Sequence, residues 1–361
     1  MFRGFTQAEL AEILGVTKQA VSQYETGVIE PNPEVLGCMS EVLSFPLGYF
    51  SKPYENDIIT PIFFRKRKTS TKKTTEIFKI YIKWMTGIYC YIEEYIHLPK
   101  PNLITRDGIG YTDSEISDIA TKLRRHWGLG EGPISNLTLL LENNGVIISK
   151  VGLDAKKVDA CSLFFTSTKK TSRPMVFLTS GTSAVRSRRD LAHELGHQVL
   201  HSWMDKEEKE DNEELIEREA ETFASYFLMP ENSMRREAYA ITSPNALLRM
   251  KKRWGTSAQS ILYHVQDIGG IEYDEAEKLK RNIFRKGWRT NEPGDDTIQQ
   301  EKPELIKDAL MMLMENNIKA PIDIIDDLSI PSEDITALCG LPSSLLKPSI
   351  VQKPKLRLIK S

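Results

Sequence analysis

Near the middle of the chain two histidines stand one helical turn apart, with a glutamate directly after the first: His193-Glu194-Leu195-Gly196-His197. On an α-helix, residues four apart lie about 40° apart in projection and one turn apart in height, so both imidazoles can face one metal ion. Glu194 then sits beside the metal and not on it. Bound zinc lowers the pKa of its water molecule, and a neighbouring carboxylate takes the proton and later passes it to a leaving amine. The pattern therefore predicts metal-assisted hydrolysis, with Zn2+ as cofactor, His193 and His197 as ligands and Glu194 as the general base.

Catalytic zinc needs a third protein ligand and one open position. His201 is four residues past His197, but it lies eight residues from His193, a helical rise of about 12 Å that one ion cannot bridge. It is expected beside the ligands, not among them. The stronger candidate is on the following helix, Glu217-Arg218-Glu219-Ala220-Glu221-Thr222-Phe223-Ala224. Glu217, Ala220, Glu221 and Ala224 share one face, where small residues permit close approach while Glu217 reaches the metal. Glu221, one turn later, is placed to orient a ligand imidazole, and Glu219 is expected to point elsewhere. The group that would stabilise an oxyanion stays open among Tyr226, Tyr263, His264 and His126.

Two long helices, about Ala184 to Trp203 and Glu213 to Met229, must carry these side chains, and Pro230 stops the second. Before them the periodicity predicts helices at Glu76 to His97, Ser114 to Trp127 and from near Pro133 to Asn143. Three β-rich runs follow, Val146 to Val151, Ala160 to Thr166 and Met175 to Thr179. Ser243-Pro244 and Thr256 are capping candidates for later helices, and the stretch from Gly287 to Lys302 reads as loop. The fold class is multidomain and mainly α with an α+β catalytic core: a small β-sheet, the HExxH helix and a C-terminal helical region.

At the N-terminus Thr6-Gln7-Ala8-Glu9 forms a capping box. Leu10, Ala11 and Leu14 give the first helix a buried face, and Gly15 supplies the turn. Thr17 caps a second helix with Ala20, Val21 and Tyr24 inward and Lys18, Gln19, Ser22 and Gln23 outward. Side chains of those outer types suit phosphates and base edges in a major groove. From Ser51 to Lys73 periodicity is lost, and Arg65-Lys66-Arg67-Lys68 with Lys72-Lys73 reads as a solvated basic linker.

The chain has 361 residues with 48 basic and 50 acidic side chains, so no global charge draws it toward nucleic acid or anionic membrane, and any DNA contact must be local. Cys38, Cys90, Cys161 and Cys339 form no CxxC pair, which fits a reducing compartment. Met1 to Phe5 runs into a polar helix without an export signal. Lys79, Lys83, Glu93 and Glu94 interrupt the most apolar stretch, Ile77 to Ile96. A soluble, cytoplasmic protein without membrane contact is expected.

The segment Arg188-Arg189-Asp190-Leu191-Ala192-His193-Glu194-Leu195-Gly196-His197, then His201, then Glu217 to Ala224 ending in Leu228-Met229-Pro230, resembles the ImmA/IrrE family of metallopeptidases. The likeness extends from Ile116 to about Trp288, and it departs at Asp190, where an aromatic or apolar residue is common. The resemblance implies a gluzincin-like zinc endopeptidase with His193, His197 and Glu217 as ligands and Glu194 as base. It also implies that the strand before the catalytic helix, Met175 to Thr179, receives substrate as an added β-strand.

Gln7, Ala11, Gly15, Val21, Ser22, Glu25 and Gly27 resemble the XRE-type helix-turn-helix. The helix that normally precedes Thr6 is nearly absent, which implies a truncated start or a module that folds incompletely and reads DNA weakly. The organisation expected is residues 1–50 helix-turn-helix, 51–73 linker, 74–290 zincin-like peptidase and 291–361 helical appendix.

By resemblance the protein substrate is a helix-turn-helix repressor, or the chain itself, in a stress response or mobile element. The alternative is a DNA-binding regulator or antitoxin-like partner of a neighbouring toxin, with the zinc site structural or sensory. Glu194 counts against that alternative, because a structural site needs no base and normally has four protein ligands.

Overall fold

Side-chain caps decide where many helices begin. Thr6, Thr17, Asn32, Thr112, Asn136, Ser183, Ser243 and Ser257 each accept a hydrogen bond from a backbone N–H in the first turn, satisfying a donor that the helix leaves unpaired. At Thr6 and Thr112 the box closes, since Glu9 and Glu115 reach back to the cap amide. Thr256 does not cap; Ser257 does, and the Thr256 hydroxyl is buried against the Met229 sulfur.

The structure, a computed structural model, describes residues 2–51, 63–66, 72–152, 158–289 and 291–346. In chain order it contains α1 (Gln7–Leu14), α2 (Lys18–Glu25), α3 (Pro33–Leu43), α4 (Gly48–Ser51), β1 (Phe63–Lys66), α5 (Lys72–Glu93), α6 (Asp113–His126), α7 (Leu137–Asn143), β2 (Ile147–Val151), β3 (Val158–Thr166) and β4 (Ser172–Thr179). Then come α8 (Ala184–Leu200), α9 (Lys206–Asp211), α10 (Glu213–Leu228), α11 (Glu231–Glu237), α12 (Pro244–Trp254), α13 (Ala258–Asp267), α14 (Tyr273–Arg285), α15 (Leu305–Glu315), α16 (Pro321–Leu328) and α17 (Ser332–Cys339). Among the described residues no helix is long and apolar enough to cross a membrane.

The chain divides into two units, Met1–Glu55 with Ala309–Ser361, and Asn56–Asp308. In the first, Leu10, Ala11, Leu14 and Val21 form a small core with Phe5, Val16, Val35, Met39, Val42 and Leu43. Gly15 takes φ +67° at the end of α1, a conformation that costs other residues strain. Arg3 donates to the Leu43 carbonyl at 2.9 Å and to Asp334 at 2.8 Å, so the last helices pack on the residues just ahead of α1. Residues Ala309–Ser361 group with the N-terminal helices, and those before them with the larger unit.

Among the described residues the larger unit is built on a four-stranded sheet of order β1-β3-β4-β2. β3 is antiparallel to both β1 and β4, while β2 lies parallel to β4. Helix α8 packs under β3 and β4, and the major core runs from Ile148, Val176 and Leu178 through Leu191, Leu195 and Val199 to Phe223 and Phe227. Side chains alternate along a strand. Ser162 faces α8, while Phe165 on the opposite face meets Tyr89 of α5 with ring centroids 5.2 Å apart.

Two expectations change here. Met175 to Thr179 is not an edge strand: β3 and β2 flank β4 on both sides, so its main-chain groups already serve two ladders and leave no place for an added strand. The stretch read as a solvated linker contributes β1, which includes Arg65 and Lys66 and pairs with β3; Arg67 and Lys68 lie outside the described residues. The loop after Gly287 is fastened in place. Glu292 accepts from the amides of Ala258 and Gln259 and, with Asp295, from the buried Lys251 ammonium, while Glu301 bridges Arg188 of α8 and the Thr138 amide of α7.

Candidate metal centre

Helices α8 and α10 approach closely because Gly196 has no side chain. A Cβ there would sit 3.0 Å from the Ala220 Cα and 3.2 Å from Phe223. Ala220 and Glu217 are three residues apart on one face of α10, so this contact brings the Glu217 carboxylate to the histidine pair.

His193 Nε2 and His197 Nε2 are 3.1 Å apart, and the Glu217 oxygens lie 3.3 Å and 3.2 Å from them respectively. One donor atom from each residue fits within 4.8 Å of the others. On a tetrahedral zinc ion with bonds of about 2.0–2.1 Å, neighbouring donors are roughly 3.3 Å apart. Two imidazoles and one carboxylate at this spacing fit such an ion. Both histidines are about 1% exposed while the Glu217 side chain is 37% exposed, so the cluster is sunk in protein on the α8 side and reached from solvent on the α10 side.

The other ring nitrogens are held too. Glu221 Oε2 lies 3.2 Å from His193 Nδ1, and Arg189 fixes the same carboxylate through its Nε at 2.8 Å. A proton on Nδ1 facing that carboxylate leaves Nε2 with its lone pair toward the cluster. His197 Nδ1 lies 3.1 Å from Nδ1 of His201, whose Nε2 lies 2.9 Å from Glu219. Glu219 also accepts from the Gly110 and Tyr111 amides at 2.7 and 2.8 Å. The chain of partners fixes the tautomers: Glu219 accepts from His201 Nε2, which leaves His201 Nδ1 to accept from His197, whose Nε2 then faces the cluster unprotonated. His201 caps α8 at its C-terminal end and contributes no atom to the donor group.

The electrostatics agree. Burial lowers the pKa of His197 to about 3, even though Glu217 pulls the other way, so the ring is neutral. Burial would raise Glu217, but its interactions with His193 and His197 outweigh it and hold the group well below the carboxylate range. Burial likewise acts against the charged form of Glu219, and His201 with two backbone amides overcomes it. A neutral imidazole beside an anionic carboxylate is the donor state that a cation requires.

Glu194 points from α8 to the sheet, where the Ser162 hydroxyl on β3 donates to its Oε2 at 2.5 Å. One residue of α8 thus faces the sheet while its neighbours His193 and His197 face α10. Of the oxyanion candidates, Tyr226, Tyr263 and His264 line a cavity of about 170 Å3 beside Glu221. His264 Nε2 is engaged with the Met229 carbonyl at 2.8 Å, and His126 sits apart, bonded to Asn102. Sequence reasoning missed Ser162, Arg189 and Glu219. Lys18 and Gln19 on α2 are exposed, while Ser22 and Gln23 are half-buried.

The comparisons agree with this division of labour. A family model described as IrrE N-terminal-like domain, of the M78 peptidases, matches residues 151–266, and a helix-turn-helix model matches residues 3–50. The chain joins an ImmA/IrrE-like peptidase domain to an XRE-type helix-turn-helix domain. No curated protein matches the chain.

Proposed function

We propose that the chain is a zinc-dependent endopeptidase that carries its own DNA reader and cleaves a helix-turn-helix repressor to change gene expression. The observation that carries this is the convergence of His193, His197 and Glu217 within 4.8 Å, with Glu194 on the adjoining face of the same helix. His193, His197 and Glu217 would hold the ion, which when bound would supply Lewis acidity to a water molecule and a scissile carbonyl. Glu194 takes the proton of the attacking water and delivers it to the leaving amine, while Ser162 fixes the orientation of its carboxyl group. Glu221 and His201 hold the two ligand imidazoles in the tautomer that binds metal. Lys18, Gln19, Ser22 and Gln23 of α2 contact DNA and bring the peptidase to a repressor at its operator.

The test uses the purified full chain, loaded with zinc, and a helix-turn-helix repressor encoded beside it. Glu194→Gln should retain one equivalent of metal and lose about 10²–10⁴-fold in cleavage rate. Undiminished cleavage by that variant, or cleavage that survives removal of metal by a chelator, refutes the assignment.

A further inference from the structure

Ser162 on β3 touches Glu194, so β3 is the strand of the sheet beside the catalytic glutamate. Its inner edge is bonded to β4. Its outer edge is taken by β1, antiparallel, with Phe63 directly opposite Ser162 and Phe64 opposite Cys161. Paired strands lie about 4.8 Å apart. The β1 backbone therefore runs antiparallel past the very residue that holds Glu194.

We propose that β1 is a plug supplied in cis: Phe63–Lys66 holds the outer edge of β3 in place of a polypeptide substrate, which adds there only after β1 has left. The proposal rests on the peptidase reading for its consequence, but the pairing itself does not. Three features make β1 displaceable. It is four residues long, it has a neighbour on one side only among the described residues, and its register shifts between Phe64 and Lys66, so the ladder is irregular there. Being tethered, it still competes at an effective concentration on the order of millimolar, enough to exclude weak peptides. It also lies between the helix-turn-helix module and the peptidase in sequence, where an event at the first could release the second.

The probe is a fluorescein-labelled peptide of residues 60–69, and the background is full-length Glu194→Gln, which cannot turn it over. Successive strand amides point in opposite directions, so the pair Phe63→Pro and Phe64→Pro removes one of the amides that face β3 whichever set that is. That variant should bind the peptide at least tenfold more tightly than the parent, by fluorescence anisotropy. Hydrogen exchange should show the β3 amides deprotected by the prolines and protected again by the peptide. Should the prolines disturb folding, Phe63→Gly with Phe64→Ser, Arg65→Gly and Lys66→Ser serves instead.

With Glu194 intact, the unplugged chain should hydrolyse the helix-turn-helix repressor encoded beside it at least tenfold faster than wild type. Unmasked binding without hydrolysis upholds the plug and sinks the peptidase reading, so the two fail separately. Equal peptide affinity in parent and variant overturns the plug. So does cleavage of the wild-type chain within residues 63–66, which would make β1 a substrate.

Discussion

Gly196→Ala tests whether the metal centre depends on how closely α8 and α10 approach. Considered as a helix position alone, the change should stabilise, because alanine is preferred over glycine in a helix interior by about 1 kcal/mol. The surroundings oppose it. The new Cβ would lie 3.0 Å from the Ala220 Cα and 3.1 Å from its carbonyl oxygen, both backbone atoms of a buried helix. Carbon atoms at ease are about 3.5–4.0 Å apart, so α10 must retreat by roughly half an ångström. Overpacking of this kind costs about 1–3 kcal/mol, and the net effect on the metal-free protein is a loss of about 0–2 kcal/mol.

Glu217 moves with Ala220. A metal site tolerates about 0.2 Å in ligand distance, so affinity for zinc should fall at least tenfold, about 1.4 kcal/mol. Urea denaturation of metal-free protein and competition with a chromophoric zinc chelator read the two effects separately. Gly87→Ala in α5, where an added Cβ meets nothing within 4 Å, is the control and should gain about 1 kcal/mol. If Gly196→Ala gains as much as that control and binds zinc as tightly as wild type, the argument from close approach is wrong.

Two further outcomes follow from the buried polar groups. Glu219→Gln should weaken zinc binding about 10–100-fold, because an amide N–H facing His201 Nε2 forces the proton to Nδ1. His197 must then carry its own proton on Nε2, the nitrogen facing the metal; unchanged competition with a chelator would exclude this relay. Burial lowers His264 from 6.5 to about 4 although the Met229 carbonyl opposes the shift. The unfolded chain therefore binds the extra proton between those values, and stability present above pH 6.5 is lost as pH falls toward 4, by on the order of 3 kcal/mol. His264→Gln keeps an N–H for Met229 and removes the titration, so urea midpoints of metal-free protein at pH 7.5, 6 and 5 should fall less steeply than in wild type; parallel slopes would refute the assignment.

What was legible in the sequence is what a single element determines. The spacing of His193 and His197, the caps at Thr6 and Thr17, and the shared face of Glu217 and Glu221 all follow from the helical period, which needs no knowledge of neighbours. Pairings between elements were not legible. Ser162 is an ordinary strand residue until α8 is laid against β3. Strand order in space is not strand order in sequence either: β2 enters beyond β4 and closes the edge that the run before the catalytic helix was expected to offer. The basic run after Phe64 concealed β1, whose only partner among the described residues is distant in sequence.

Glu219 is the instructive miss, because its signal was present. It lies on the stripe formed by Ile216, Ala220, Phe223 and Phe227, which helical spacing places inside and which is buried throughout. A carboxylate set within such a stripe faces protein and not solvent, and a buried carboxylate needs partners. The expectation that Glu219 points away from Glu217 was correct in direction, but away from the metal did not mean toward water: α10 packs on α8 with one face and on α6 with another. On a helix buried on two sides, the residue two positions from Glu217 is as constrained as Glu217. Here it binds the loop before α6, through the Gly110 and Tyr111 amides, to His201. That connection makes the protonation state of His197 depend on the loop that carries Gly110 and Tyr111.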